Sequence, residues 1–338
     1  MAEPFESASP QVSVVIPVRN EEGAIAAAVR SALNQINTPP LEVIVADGDS
    51  SDGTRAAVTA LAHDDSRVRL ISNDSGTTPS GLNAAIRQAR GNVIVRCDAH
   101  SVLPVDYVST ALQVLADTGA DVVGGTQRAT GRGFWQRTVA IAMTTPFGVG
   151  DARFHTGGAA GAVDTVYLGV FRRGALERVG LFDESLRRNQ DYELNYRIRD
   201  SGGVVYFHPE LAVDYEPRSN LIELARQFHQ YGTWKRLVLR RFPESLKWRQ
   251  LAAPLLVVGL IASIILLIVG QRLLASLVPG AYLIGVVGTT LLELARRRDL
   301  AAVGLIAALP TMHLSWAFGF MTSDLADPGP SIPKLGPS

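Results

Sequence analysis

Three long runs free of Asp, Glu, Lys and Arg, at 251–270, 273–292 and 300–323, constrain this 338-residue chain more than any other feature. A helix needs about 20 predominantly apolar residues to cross the hydrocarbon core of a bilayer. All three runs meet that length. They are separated only by Gln271 and Arg272 and by the charged stretch 293–299. Buried helices of a soluble core are the alternative, but such cores rarely need three runs of this kind in succession. Apolar residues make up 47% of the chain and charged residues only 19%, and the excess concentrates after residue 250. The first reading is therefore three transmembrane helices over 251–323.

Charge sets the expected orientation. Lys235, Arg236, Arg240, Arg241, Lys247 and Arg249 precede the first run, against Glu244 alone. Arg296, Arg297 and Arg298 follow the second run, and only Arg272 follows the first. The positive-inside rule then puts residues 1–250 in the cytosol of a multi-pass protein of the cell membrane. Residues 234–248 mix basic and aromatic side chains, as a helix lying on the membrane surface does and as an ordinary basic flank also does. His313 sits within the third run; it reads either as a functional intramembrane group or as a neutral imidazole hydrogen-bonded between helices. Residues 324–338 are Pro/Gly-rich and read as a disordered tail. Residues 1–11 read as a flexible N-terminus without a signal peptide. The lone cysteine, Cys97, excludes an internal disulfide. Thirty-two basic residues balance 32 acidic ones, so net charge gives no case for nucleic acid as a partner.

Residues 12–125 alternate between two patterns. Short β-branched runs (VSVVIP, LEVIVAD, VRLIS, NVIVRC, DVVGG) are separated by Ala-rich segments with helical spacing, such as Ile25, Val29, Ala32 and Leu33. Thr78 with Pro79 marks a helix start, and Gly91 a stop. Such alternation predicts an α/β domain: a mostly parallel sheet with helices on both faces, in the Rossmann-like manner. Ligands of such sheets bind beyond the carboxyl ends of the strands. There the sequence places Pro17-Val18-Arg19-Asn20-Glu21-Glu22, then Asp47-Gly48-Asp49-Ser50-Ser51-Asp52-Gly53-Thr54, then Asp98-Ala99-His100. Neither the dinucleotide fingerprint nor the phosphate-binding P-loop is present, which disfavours a hydride-transfer enzyme and a P-loop NTPase. A nucleotide site without those loops must handle its phosphates another way, and a cation held by acidic or imidazole side chains is the obvious candidate.

The strings VSVVIPVRNEEGAI, EVIVADGDSSDGT and GNVIVRCDAH, in this order, resemble the family-2 glycosyltransferases, whose fold is GT-A. The later string VDTVYLGVFRRGALERVGLFDESLRRNQDYELNYRIR resembles the subgroup of the succinoglycan-biosynthesis glucosyltransferase. The resemblance covers about the first 235 residues. It implies that Pro17, Arg19 and Glu21 wall a nucleoside pocket and that Asp47 accepts a hydrogen bond from the base of a nucleotide-sugar donor. Asp98 would contact the ribose or a divalent metal, Mn or Mg, with His100 as a nitrogen ligand. Asp191 matches the catalytic base. Local structure offers plainer roles for two of these: 47–54 also reads as a turn that caps the next helix, with Asp52 as the cap, and Asp191 as a first-turn acid that favours the helix dipole.

The chemistry explains why a base is needed. A sugar hydroxyl is a poor nucleophile near neutral pH, and a carboxylate within hydrogen-bond reach takes its proton as the new bond forms. One such base and a stabilised leaving diphosphate give a single displacement with inversion. The resemblance thus implies an inverting hexosyltransferase, with a UDP-hexose favoured, acting on a polyprenyl-linked glycan in exopolysaccharide or cell-envelope assembly. The alternatives are a polyprenyl-phosphate sugar synthase and an inactive membrane scaffold that keeps the fold. Processive relatives carry Gln-x-x-Arg-Trp where this chain has Gln227-Phe228-His229-Gln230-Tyr231, which favours one sugar per acceptor. The expected layout is a GT-A domain over 12–235, a basic juxtamembrane segment over 236–250 in contact with membrane lipid, and the spans over 251–323.

Overall fold

The computed structural model describes residues 9–247 and 250–323. The order begins β1 (Val12–Val18), α1 (Ile25–Leu33), β2 (Leu41–Asp47), α2 (Thr54–Asp64), β3 (Val68–Ser72), α3 (Thr78–Gln88), β4 (Val93–Arg96), α4 (Tyr107–Thr118) and β5 (Val122–Gly125). After β6 (Gln127–Ala129) come three helices, α5 (Phe134–Met143), α6 (Pro146–Val149) and α7 (Arg153–Thr156). Then follow β7 (Gly161–Ala162), β8 (Tyr167–Arg172), α8 (Arg173–Val179), α9 (Gln190–Asp200), β9 (Val205–Phe207) and β10 (Val213–Tyr215). The last part holds α10 (Leu221–Arg241), α11 (Ala252–Ile268), α12 (Arg272–Arg297) and, after a 3-10 turn over Leu300–Gly304, α13 (Leu305–Thr322). Two units result. One comprises the residues up to Arg128 together with Gly157–Asp214; the other comprises Ala129–Thr156 and the residues from Tyr215 onward.

Eight of the ten described strands form one sheet in the order β3-β2-β1-β4-β8-β5-β9-β7, and β6 and β10 pair as a separate two-stranded sheet. β1 pairs in parallel with β2 and β4, β2 with β3, and β5 with β9. β8 runs antiparallel to both β4 and β5, and β7 antiparallel to β9. The expected mostly parallel sheet is present, with an antiparallel strand inserted between β4 and β5. Successive residues on a strand face opposite sides of the sheet. Accordingly Val12, Val14, Ile16 and Val18 of β1 pack with α1, α2 and α4, whereas Val15 packs with α3, α8 and α9. Helices cover both faces.

Local signals fared unevenly. Ile25, Val29 and Ala32 are buried on α1. Pro79 lies in the first turn of α3, whose N-cap is Thr77. Gly91 is not the stop: α3 ends at Gln88, and a Cβ on Gly91 would stand 2.7 Å from both the Ser13 nitrogen and the Val12 carbonyl carbon. Glycine is there because β1 passes too close for a side chain. Asp52 accepts from the Thr54 N–H at 3.0 Å and from the Glu22 N–H at 3.2 Å, so it serves the start of α2 from one position before the cap, Gly53.

In the second unit α5 packs Val139, Ile141 and Met143 with Leu224 and Phe228 of α10, Val286 of α12 and Leu309 and Met312 of α13. Arg272–Arg297 and Leu300–Thr322 are long and apolar enough to cross a membrane, and Ala252–Ile268, at 17 residues, is shorter. Leu255, Val258, Ile264 and Ile268 of α11 and Leu273, Leu277, Ile284 and Leu291 of α12 are exposed. α13 differs because α10 runs beside it: a Cβ on Gly319 would lie 2.1 Å from the His229 carbonyl oxygen, and Thr233 donates to the Gly319 carbonyl at 3.3 Å. His313 is the hydrogen-bonded linker of the second sequence reading. Its Nδ1 lies 2.9 Å from the Tyr282 hydroxyl and its Nε2 3.0 Å from the Phe147 carbonyl oxygen. α10 continues through 235 to Arg241 without a break. The expected termini at 1–8 and 324–338, and Trp248 and Arg249 of the basic flank, lie outside the described residues.

Candidate active site

The order β3-β2-β1-β4 reverses direction at β1: the chain steps outward from β1 to β3, then returns to place β4 on the other side. A parallel sheet opens a crevice at such a switch point, beyond the strand carboxyl ends. Residues 17–22 leave β1 there and 97–101 leave β4. Glu21 and His100 meet across the gap, with His100 Nδ1 3.6 Å from Glu21 Oε1, and both side chains remain solvent-accessible. The Glu21 N–H donates to Thr54 Oγ1 at 2.8 Å, which ties the segment after β1 to the start of α2.

Arg96, the last residue of β4, organises the rest. It is buried, at 6% exposure. Its Nε donates to Asp98 Oδ1 at 2.9 Å, and its Nη1 donates to Asp191 Oδ1. Asp191 stands in the first turn of α9, after Asn189 in the left-handed conformation (φ 60°). One guanidinium therefore brings two carboxylates of distant sequence to a single point. Burial works against the charge on Arg96, but the Asp191 and Asp98 carboxylates outweigh it and its pKa rises. Burial also raises the Asp191 pKa; Arg96 opposes that rise, and the nearby Asp98 charge adds to it. A carboxylate raised in this way, while a third of its side chain stays accessible, is suited to accept a proton.

Tyr167, at the start of β8, has its phenol pKa raised by burial and by the Asp98 charge. Leu168 adopts φ 43°, an unfavourable conformation for a leucine, and its carbonyl accepts from the Tyr107 hydroxyl at 2.9 Å. Burial raises the Cys97 pKa as well, so this thiol is structural and not a nucleophile.

Pro17, Arg19 and Asp47, expected from the sequence to serve a nucleoside, fall on the same rim with different exposure. Pro17 is buried in β1 and Arg19 is exposed. The Arg19 side chain lies over the 47–54 and 73–77 turns: a Cβ on Gly76 would stand 2.7 Å from its Nη1. The Asp47 side chain is fully buried. Its Oδ2 accepts from Arg55 Nη1 at 3.2 Å and its Oδ1 from the Ser50 N–H at 3.3 Å. Asp47 thus fastens the 47–55 turn, and a base reaching it has to take the place of Arg55. Arg96 is the member of the site that sequence reasoning missed. The signal was a charged residue closing an otherwise apolar strand two positions before Asp98.

The donor set for a divalent cation is sparse. Among the described residues no three His, Cys, Asp or Glu side chains form a cage. Asp98 has one oxygen taken by Arg96, and His100 faces Glu21. Sparse protein ligation still suits Mg and similar hard cations, which keep waters and use one or two carboxylates together with substrate phosphates. Asp98 fits that pattern, whereas the accessible His100 imidazole is a nitrogen donor that suits Mn better than Mg.

Residues 13–180 match the family described as Glycosyl transferase family 2. The succinoglycan biosynthesis protein ExoA of Rhizobium meliloti is 29% identical over 311 residues, 91% of this chain and 93% of that protein. The dolichyl N-acetyl-alpha-D-glucosaminyl phosphate 3-beta-D-2,3-diacetamido-2,3-dideoxy-beta-D-glucuronosyltransferase of Methanococcus voltae is 23% identical, covering 70% of this chain and 76% of that one. Among solved structures, the mannosyltransferase PcManGT from Pyrobaculum calidifontis, in complex with GDP-Man and Mn2+, aligns with a TM-score of 0.61 at 20% identity over 95% of this chain and 90% of that chain. The sheet, the rim of polar residues and these similarities agree: the chain carries a family-2 glycosyltransferase domain with the GT-A fold and is a glycosyltransferase.

Proposed function

We propose that this glycosyltransferase moves a hexose, with inversion, from a nucleotide sugar to a polyprenyl-linked glycan during assembly of an exopolysaccharide or envelope glycan. The observation that carries the reading is the joining of Asp98 and Asp191 through Arg96 at the sheet's switch point. In this reading Asp191 takes the proton of the acceptor hydroxyl as it attacks the anomeric carbon. Arg96 is a positioning residue that fixes the Asp191 carboxylate and offsets its burial. Pro17, Arg19 and Glu21 wall the nucleoside site, with Asp47 behind them.

Asp98 and His100 would hold a divalent cation, which supplies charge neutralisation of the leaving diphosphate. Support comes from the mannosyltransferase solved with GDP-Man and Mn2+ and from the lipid-linked substrates in the relatives' names. A further relative, the GalNAc(5)-diNAcBac-PP-undecaprenol beta-1,3-glucosyltransferase of Campylobacter jejuni, is 32% identical over 34% of this chain and 38% of that protein. The exposed apolar faces of α11 and α12 support membrane residence, because soluble monomers rarely leave such continuous apolar surface uncovered. The basic residues of α10 and Arg296–Arg298 support a cytosolic site.

The test is a panel of nucleotide sugars offered to the full chain in lipid nanodiscs with a polyprenyl-diphosphate glycan, Mn or Mg being supplied. The expected result is metal-dependent release of one nucleoside diphosphate and a product heavier by one hexose. An absence of donor binding by calorimetry across the panel would leave a scaffold with an inactive fold.

A further inference from the structure

An open groove of about 930 Å3 runs between α10, α11 and α13. Val257 and Ile261 of α11 and Leu314 and Phe318 of α13 make its walls apolar, and Arg226 and His229 of α10 line its remaining side. Among the described residues no carboxylate lines it, so its one permanent charge is the exposed Arg226 guanidinium. Gly319 lets the α13 backbone press against the His229 carbonyl, which sets α13 close beside α10. On its α11 side the groove opens onto the exposed face that carries Val258, Ile264 and Ile265.

Pockets of this volume, apolar with a few placed polar groups, are typical of small-molecule sites. An apolar trough that is continuous with an exposed apolar face, and carries a single cation, complements an amphiphile with one anionic head and a long hydrocarbon tail. The geometry points to a binding site for the isoprenoid carrier of the acceptor: the first isoprene units lie against Ile261, Leu314 and Phe318, and the carrier phosphate pairs with Arg226. This rests on the reading of the acceptor as polyprenyl-linked, and it assigns that acceptor a seat. An arginine suits the head, since its planar donors match phosphate oxygens. His229 adds a second donor on the same helix face, one turn away.

The experiment is photolabelling of the full chain in phosphatidylcholine nanodiscs with a polyprenyl phosphate that bears a diazirine in its first isoprene units, followed by peptide mapping. Adducts are expected on Ile261, Leu314 and Phe318, with protection by unlabelled polyprenyl phosphate and none by phosphatidylglycerol. Arg226→Gln removes a charge-assisted contact and is expected to cut groove labelling about tenfold. Ile261→Trp fills the trough and is expected to abolish it, circular dichroism confirming that the variant folds. Labelling spread evenly over the outer faces of α11 and α12, or equal protection by phosphatidylglycerol, would overturn the assignment and make the groove an ordinary lipid contact. Labelling requires no turnover, so groove adducts without sugar transfer count against the acceptor chemistry and leave the site standing. Transfer with an unlabelled groove does the reverse.

Discussion

Arg96 donates to the carboxylate of Asp191 although 95 residues separate them in the chain. The same guanidinium holds Asp98, so a buried cation decides where two acids stand. Asp191→Asn keeps the shape of this arrangement and removes the proposed base. Transfer to a glycan hydroxyl is expected to fall by roughly 10²–10⁴ in kcat with donor affinity kept, read from initial rates and calorimetry. A polyprenyl phosphate acceptor is already anionic, so an Asn variant at full rate would assign the enzyme to that class.

The pH dependence follows from the same contacts. Burial lifts the Asp191 pKa above the ordinary carboxylate range, and Arg96 pulls it back. The base works ionised, so kcat should fall as pH drops through this raised value. Arg96→Gln takes away the opposing charge and should move the acidic limb of the kcat profile to higher pH, whereas Arg96→Lys should move it less. The sign for stability is the opposite: an acid with a raised folded pKa favours the fold while protonated and loses that contribution as pH rises through the folded value. An Arg96→Gln profile that lowers kcat without moving the limb would make the arginine a packing element only.

Removal of divalent metal is expected to stop transfer while the thermal unfolding midpoint of the apo protein stays close to that of the loaded one, because the fold uses no metal cage among its described residues. Asp98→Ala should cost more activity than His100→Ala, since the imidazole is the more exposed of the two. Nucleoside diphosphate release measured against free Mn and Mg reads both. Full turnover in excess chelator contradicts the assignment of Asp98 and His100.

Gly91→Ala probes the opposite end of the sheet. The added Cβ would stand 2.7 Å from the Ser13 nitrogen and the Val12 carbonyl carbon, backbone atoms of β1 that cannot turn aside. It would also strain the Gly91 N–H to Ser13 Oγ bond of 2.9 Å, within a buried cluster that includes Glu42. The expected loss is about 1–3 kcal/mol, measured by thermal or denaturant unfolding, with kcat per folded molecule unchanged.

The alternation of β-branched runs and Ala-rich helices made the sheet legible, because periodicity depends on neighbours in sequence. The rim was legible for the same reason: each polar cluster directly follows its own strand. Arg96 was not, since a lone arginine at the end of VIVR acquires its meaning only when α9 delivers Asp191. The antiparallel β8 escaped because strand order is set by packing between elements and leaves no periodic trace. Asp47 and Arg55 were read apart, and only the folded turn puts the guanidinium on the carboxylate. Of the three apolar runs, helix content was plain from composition, but the companionship of α13 and α10 depends on the close approach at Gly319, which hydropathy does not record.

Residues Ala129–Thr156 belong with the C-terminal helices, although the chain returns to the sheet at Gly157. The backbone therefore passes from one unit to the other three times. No single cut separates the sheet-bearing unit: shortening the chain near 235 keeps α5 but strips away the α12 and α13 side chains that shelter Val139, Ile141 and Met143. Separating the sheet-bearing unit from the rest therefore means excising two segments, Ala129–Thr156 and the residues from Tyr215 onward, and joining Arg128 to Gly157.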